Sequence, residues 1–156
     1  MIFDFFWYSS KNMIVRNATV KDVDDIYSLI TRYAQLDKML FRSKAYIFDN
    51  LQLFNVADID GKVVGCCALQ VIWSDLAEIK SLAVDEVYQS KDVGSALIEK
   101  AIEQARHLGV KKVFALTLAP KFFEKRNFVI VDKKTLPMKV WSDCARCTKQ
   151  ENCDEI

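Results

Sequence analysis

Two stretches of this chain have a composition and spacing that could do chemistry. Residues 84–95 read Val-Asp-Glu-Val-Tyr-Gln-Ser-Lys-Asp-Val-Gly-Ser and lead from an apolar, strand-like segment into a helical one. Such a turn presents the unpaired N–H groups and the positive dipole end of a helix N-terminus, a combination that favours a phosphate. Many strand-turn-helix junctions bind nothing, so on these residues alone a plain connection is the competing reading. The second stretch is Cys144, Cys147 and Cys153, spaced C-x2-C-x5-C. It could give three thiolates to zinc, with Asp154 or a distant residue as the fourth ligand. A second C-x2-C pair is missing, however, so free thiols are expected and no metal. His107 is the only histidine and sits near a helix C-terminus, which argues against a His-dependent triad. Cys66 and Cys67 adjoin on one strand, must face opposite sides of a sheet, and read as small packing residues.

The elements that would position these residues follow from periodicity. Residues 13–17 read as a strand, and Thr19 caps a helix whose apolar positions Val20, Val23, Ile26, Tyr27, Ile30 and Tyr33 keep one face inward as far as Leu36. A short helical segment is expected over 46–50. Residues 54–58 and 63–71 form a hairpin around Asp60-Gly61, and the second run is apolar on both parities, as in a central strand. Residues 78–84 are a strand, residues 96–108 a helix closed by Gly109, and residues 113–118 a fifth strand. Pro120 opens a short helix, and residues 128–131 read as a sixth strand. Hairpin strands followed by strand-helix-strand crossovers imply an α/β domain with a mixed sheet and helices on both faces.

Composition narrows the classes. The chain has 156 residues, enough for one domain and too few for two with independent cores. With 22 Lys+Arg against 21 Asp+Glu and no dense basic run, nucleic acid is not an expected partner. No apolar run approaches the roughly 20 residues of a membrane span. Residues 1–12 lack a basic start and carry Asp4 within their apolar run, so they read as an N-terminal extension of a cytoplasmic protein.

Read together with residues 120–128 (PKFFEKRNF), the turn resembles the acetyl-CoA loop of the GNAT family of N-acetyltransferases, Q/R-x-x-G-x-G/A, here Gln89-Ser90-Lys91-Asp92-Val93-Gly94. The resemblance covers nearly all of residues 13–132. It implies a GNAT fold, with a mixed, mostly antiparallel sheet of about six strands, and acetyl-CoA as co-substrate. The cofactor's pyrophosphate would lie against Gln89, Ser90, Lys91, Asp92, Val93, Gly94 and Ser95. The backbone of Leu82, Ala83 and Val84 would pair with the pantetheine arm and polarise the thioester carbonyl. Asp92 stands where the family has its first glycine; it adds a Cβ and a negative charge that should lower CoA affinity, with Lys91 as an offset. Phe123 stands where many relatives carry the tyrosine that protonates the departing thiolate.

Further strings resemble the N-acetylglutamate synthases in their short bacterial form: Phe41-Arg42-Ser43, residues 65–69 (GCCAL), 77–84 (AEIKSLAV) and 114–117 (FALT), then Leu136-Pro137 with Lys139-Val140-Trp141, and Asp143-Cys144. This resemblance implies acetyl transfer to the α-amine of L-glutamate, the first step of arginine biosynthesis. Glu78 would be the general base, the competing reading being a surface carboxylate paired with Lys80. Arg42 is the first candidate to clamp a substrate carboxylate, and Lys80 and Lys139 are the second; the competing reading for each is a solvated charge. Thr117 could hydrogen-bond the thiolate or be an ordinary strand residue. Residues 133–156 would complete or flank the substrate pocket, and a homodimer is common for this fold. Two alternatives stand beside glutamate: a different amine acceptor, and a CoA-binding regulatory module without catalysis.

Overall fold

The computed structural model describes residues 12–137. Lys139 and the Cys144, Cys147 and Cys153 cluster lie outside the described residues, as do residues 1–11 of the extension.

The chain opens with β1 (Met13–Asn17), then a 3-10 turn (Val20–Asp22) that runs into α1 (Val23–Gln35). The entry is fixed by charge and capping together. Asp22 accepts from the Thr19 N–H at 2.7 Å and the Thr19 hydroxyl at 3.1 Å, and Arg16 reaches the same carboxylate at 2.8 and 3.0 Å. Helix α2 (Lys44–Asp49) starts at Ser43, whose hydroxyl accepts the Tyr46 N–H.

A hairpin follows, β2 (Phe54–Ile59) and β3 (Lys62–Trp73). Its two central residues, Asp60 at φ +52° and Gly61 at φ +83°, have the left-handed backbone that matches the twist of the strands, and Asp58 accepts the Gly61 N–H at 2.7 Å. Next come β4 (Leu76–Val84), α3 (Val93–His107), β5 (Lys112–Phe114) and α4 (Pro120–Glu124). Gly109 at φ +78° closes α3, and Pro120 opens α4.

The strands lie in the order β1-β2-β3-β4-β5, antiparallel except for the parallel pair β4-β5. Each face carries its own core. On one face α1 and α2 bring Val23, Ile26, Ile30 and Ile47 against Val56, Cys66, Ala68 and Ala83. On the other, α3 brings Val93, Leu97, Ile98 and Ala101 against Ala57, Val64, Cys67, Ala77 and Ile79. The two adjacent cysteines therefore do face opposite sides. No described helix is long and apolar enough to cross a membrane.

The sheet has five strands among the described residues. Residues 128–131 form no strand, and β5 ends at Phe114, four residues before the expected Leu118. Both departures have local causes. The Thr117 hydroxyl accepts the Ala119 N–H at 2.9 Å, turning the chain toward α4. Phe128 is drawn back to α4, its N–H donating to the Phe123 carbonyl and its ring packing on Phe123, which leaves Val129, Ile130 and Val131 exposed. β-branched composition marks a segment that suits a sheet; a pairing partner decides whether it joins one.

Candidate functional site

The centre of interest is where β4 loses β5. Pairing between them consists of Leu76 with Lys112, Ala77 with Val113 and Glu78 with Phe114, and β4 then continues to Val84 without β5. Among the described residues nothing pairs with this side of residues 79–84, which thus offer a strand edge to an extended ligand. Within this stretch β4 carries a bulge: Ala68 faces Lys80 and Cys66 faces Ala83, so three steps along β4 match two along β3. Ser81, at φ +53°, absorbs the extra residue. The bulge also exchanges the faces of the strand. Ala77 and Ile79 point to the α3 core, as do Leu82 and Val84 beyond the bulge, while Ala83 points to the α1 core.

By the same alternation Glu78 and Lys80 lie on the α1 and α2 side. Glu78 is only 7% exposed, and its Oε2 is 3.6 Å from Lys80 Nζ, with both side chains about nine-tenths buried. The two predicted site residues are therefore brought together, and Glu78 is a buried carboxylate, not a surface one. Arg42 enters on the same side of the sheet, its guanidinium 4.3 Å from the Tyr46 ring centroid at the start of α2.

At the far end of β4, Tyr33 of α1 donates its hydroxyl proton to the Val84 carbonyl and accepts from Gln89 Nε2 at 2.5 Å. Burial pushes the Tyr33 phenol above its ordinary value, which keeps it neutral and able to donate. Sequence periodicity places Tyr33 only on the inward face of α1; its polar tip was the available signal for more.

The turn before α3 contains two left-handed residues, Ser90 at φ +63° and Asp92 at φ +61°. The family's glycine at this position meets a backbone requirement, and Asp92 fills it with a residue that tolerates the region better than most. Asp92 occupies the N-cap position, yet its side chain makes no cap bond. The first bond of the helix runs from the Ala96 N–H to the Asp92 carbonyl at 3.0 Å. The N–H groups of Val93, Gly94 and Ser95 precede it and have no acceptor within the helix. Lys91 sits 5.4 Å from the Tyr88 ring centroid, a ring that Lys62 also approaches at 5.6 Å. A Cβ on Gly94 would lie 2.9 Å from Phe122 Cζ, so any larger residue here must displace the Phe122 ring that α4 lays against the start of α3.

Phe123 is buried and packs edge-on against Phe122 and Phe128 at 5.3 and 5.2 Å between centroids, which makes it part of the α3 core. Thr117 lies three residues beyond β5; with Ala119 bound as a donor, its own O–H stays available to donate. A cleft of about 790 Å³ borders β5, lined by Leu76, Phe114, Thr117, Phe123 and Leu136 among others, and it contains none of residues 79–95. Val129, Ile130 and Val131 also line it, and it is separate from residues 79–84 of β4. Burial pushes the Cys66 thiol up to about 12 and the Cys67 thiol higher still, so neither is a thiolate nucleophile near neutral pH.

A mixed sheet that opens beside a bulged strand, with unpaired helix N–H groups at the end of that strand, suits an extended thioester whose phosphates rest on the helix; this is the architecture of a CoA-dependent acyltransferase. Residues 20–128 match the acetyltransferase (GNAT) family, and the chain belongs to it. It is 42% identical over 142 residues to a protein named as an N-acetyltransferase in Chlorobaculum tepidum, covering 91% of this chain and 92% of that one. It is 35% identical over 136 residues to an amino-acid acetyltransferase of Mycobacterium tuberculosis, covering 85% and 78%. Among solved structures, an M. tuberculosis protein in complex with CoA superposes with a TM-score of 0.77 at 33% identity over 88% of this chain and 84% of that one. The N-acetylglutamate synthase of Neisseria gonorrhoeae, complexed with coenzyme A and N-acetyl-glutamate, superposes with a TM-score of 0.83 at 27% identity; this chain is covered to 92% and spans 33% of that one. The protein is thus an acetyltransferase whose co-substrate is acetyl-CoA.

Proposed function

We propose that this acetyltransferase acts on the α-amine of an amino acid, with L-glutamate as the acceptor, in the first step of arginine biosynthesis in the cytoplasm. The observation that carries this reading is the buried Glu78, placed on β4 at the last residue paired with β5, where the strand edge becomes free. A carboxylate there can take a proton from an incoming ammonium, directly or through a water, while the nitrogen attacks the thioester carbon. The nitrogen-carbon bond forms, the carbon-sulfur bond breaks, and the CoA thiolate takes up a proton.

The other residues take complementary roles. The backbone of Leu82, Ala83 and Val84, just beyond the bulge, pairs with the pantetheine arm, and an N–H there polarises the carbonyl. Thr117 donates to the thiolate, since Phe123 has no hydroxyl to do so. Arg42 clamps a substrate carboxylate, and Lys80 orients Glu78 and offers a second cation on the same face. Gln89, Ser90, Lys91, Asp92, Val93, Gly94 and Ser95 form the pyrophosphate loop. Residues 13–132 hold this machinery. The amino-acid acetyltransferases and N-acetylglutamate synthases among the relatives support glutamate over other amines.

The test is thiol release from acetyl-CoA with glutamate, glutamine, aspartate, lysine or no amine. Turnover confined to glutamate supports the assignment. Turnover with a different amine keeps the chemistry and replaces the acceptor, and release no faster than the blank with every amine leaves a CoA-binding module.

A further inference from the structure

The segment that follows α4 carries a cation whose place is not explained by packing alone. Arg126 Nε donates to Ser95 Oγ at 3.0 Å, its terminal nitrogens donate to the same hydroxyl and to the Phe122 carbonyl, and its guanidinium carbon stacks 3.6 Å from the Phe122 ring centroid. Among the described residues no carboxylate pairs with it. Ser95 is the third residue of α3, and the Phe122 ring touches Gly94, the second. A full positive charge is therefore held against the positive end of a 15-residue helix whose first turn, beyond Asp92 at the N-cap, carries no acidic residue.

Such a placement is electrostatically unfavourable in isolation, because the dipole repels a cation at this end. It becomes favourable once an anion sits on the same N–H groups. We infer that Arg126 is a phosphate-binding residue for the CoA moiety, acting beside the N–H groups of Val93, Gly94 and Ser95. The inference rests on the reading of the turn before α3 as the pyrophosphate loop. It also explains how a loop with Asp92 in the family's glycine position can still hold a phosphate: the compensating charge comes from the segment after α4, while Lys91 is engaged at Tyr88.

The experiment is calorimetric titration of the intact protein with CoA, 3′-dephospho-CoA and pantetheine, which needs no acceptor amine and so does not depend on which one is used. Failure of the wild type to bind CoA would count against the loop itself; a wild type that binds lets the variants judge Arg126. Arg126→Met keeps a side chain on the Phe122 ring and removes the charge, and CoA should bind it about tenfold more weakly, as expected for loss of a charge-assisted contact. Arg126→Lys should fall between. Loss of the same factor with 3′-dephospho-CoA assigns the contact to the pyrophosphate, and loss confined to CoA assigns it to the 3′-phosphate. Pantetheine, which has neither, should bind wild type and Arg126→Met alike. An equal weakening for pantetheine, or unchanged CoA affinity in a variant whose melting temperature is intact, would reduce Arg126 to a clamp between α3 and α4 and overturn the assignment.

Discussion

Glu78 and Asp92 are the residues at which small chemical changes should have the clearest effects. Glu78→Gln keeps the shape of the side chain and removes its basicity, so kcat should fall by about 10²- to 10⁴-fold while CoA affinity is unchanged. A drop of less than about threefold in single-turnover rate would remove Glu78 as the base. Asp92 combines a left-handed backbone, φ +61°, with a carboxylate next to the expected phosphates and no cap bond to lose. Replacing it by glycine should tighten CoA binding by about fivefold, the effect of removing roughly 1 kcal/mol of repulsion between charges near a surface. Asp92→Ala separates the causes. It should share the affinity gain yet be about 1 kcal/mol less stable to denaturant than Asp92→Gly, because alanine still places a Cβ in the left-handed region. If the alanine variant binds CoA no better than wild type, charge is not what limits affinity.

Between elements, the Phe122 ring of α4 meets α3 at Gly94, beside the proposed pyrophosphate loop. A methyl on Gly94 would meet Phe122 Cζ at 2.9 Å, so Gly94→Ala must displace the Phe122 ring from the start of α3. We expect a loss of about 1–3 kcal/mol in stability with weaker CoA binding, and recovery of most of the increment when Phe122→Ala opens the space. Chemical denaturation of the four proteins in this double-mutant cycle measures it; additive losses would mean that the two residues do not meet. These elements were largely legible from periodicity and turn chemistry. Asp60-Gly61 marks the hairpin, Gly109 the end of α3 and Pro120 the start of α4, each through a local backbone requirement. What local sequence does not contain is the choice of neighbour. The bulge at Ser81, the early end of β5 and the unpaired run at 129–131 depend on contacts made across the fold, and so does the meeting of Arg126 with Ser95. Glu78 was recognisable as a candidate from its resemblance, but its burial against Lys80 follows from which face of β4 it occupies.

At the scale of the whole molecule, two cores share one sheet, and the entry to the first helix is tied to β1 and β2. The tie is ionic. Arg16 of β1 reaches Asp22 at the entry to α1, at 2.8 Å, and Asp58 of β2 at 3.2 Å, and Asp22 is almost fully buried while Arg16 keeps partial access to water. Hydrogen bonds from Arg16 hold the Asp22 carboxyl below its ordinary value of 3.8, with the Thr19 N–H and hydroxyl adding to the effect and burial opposing it. A carboxyl depressed on folding contributes stability that is complete above its unfolded value and is lost as pH falls through its lower, folded one. This contribution should therefore be intact from neutral pH down to about 4 and fade in more acid solution. Asp22→Asn keeps the size of the side chain and removes the charge, and it should lower unfolding free energy at pH 7 by about 2 kcal/mol, the scale of hydrogen bonds to a charged group. The difference from wild type should stay constant down to the ordinary carboxyl value of 3.8 and shrink beneath it. Urea midpoints for both proteins between pH 7 and pH 2.5 would show this convergence, whereas a gap that persists at the acid end would mean that Asp22 acts through shape and not through its charge.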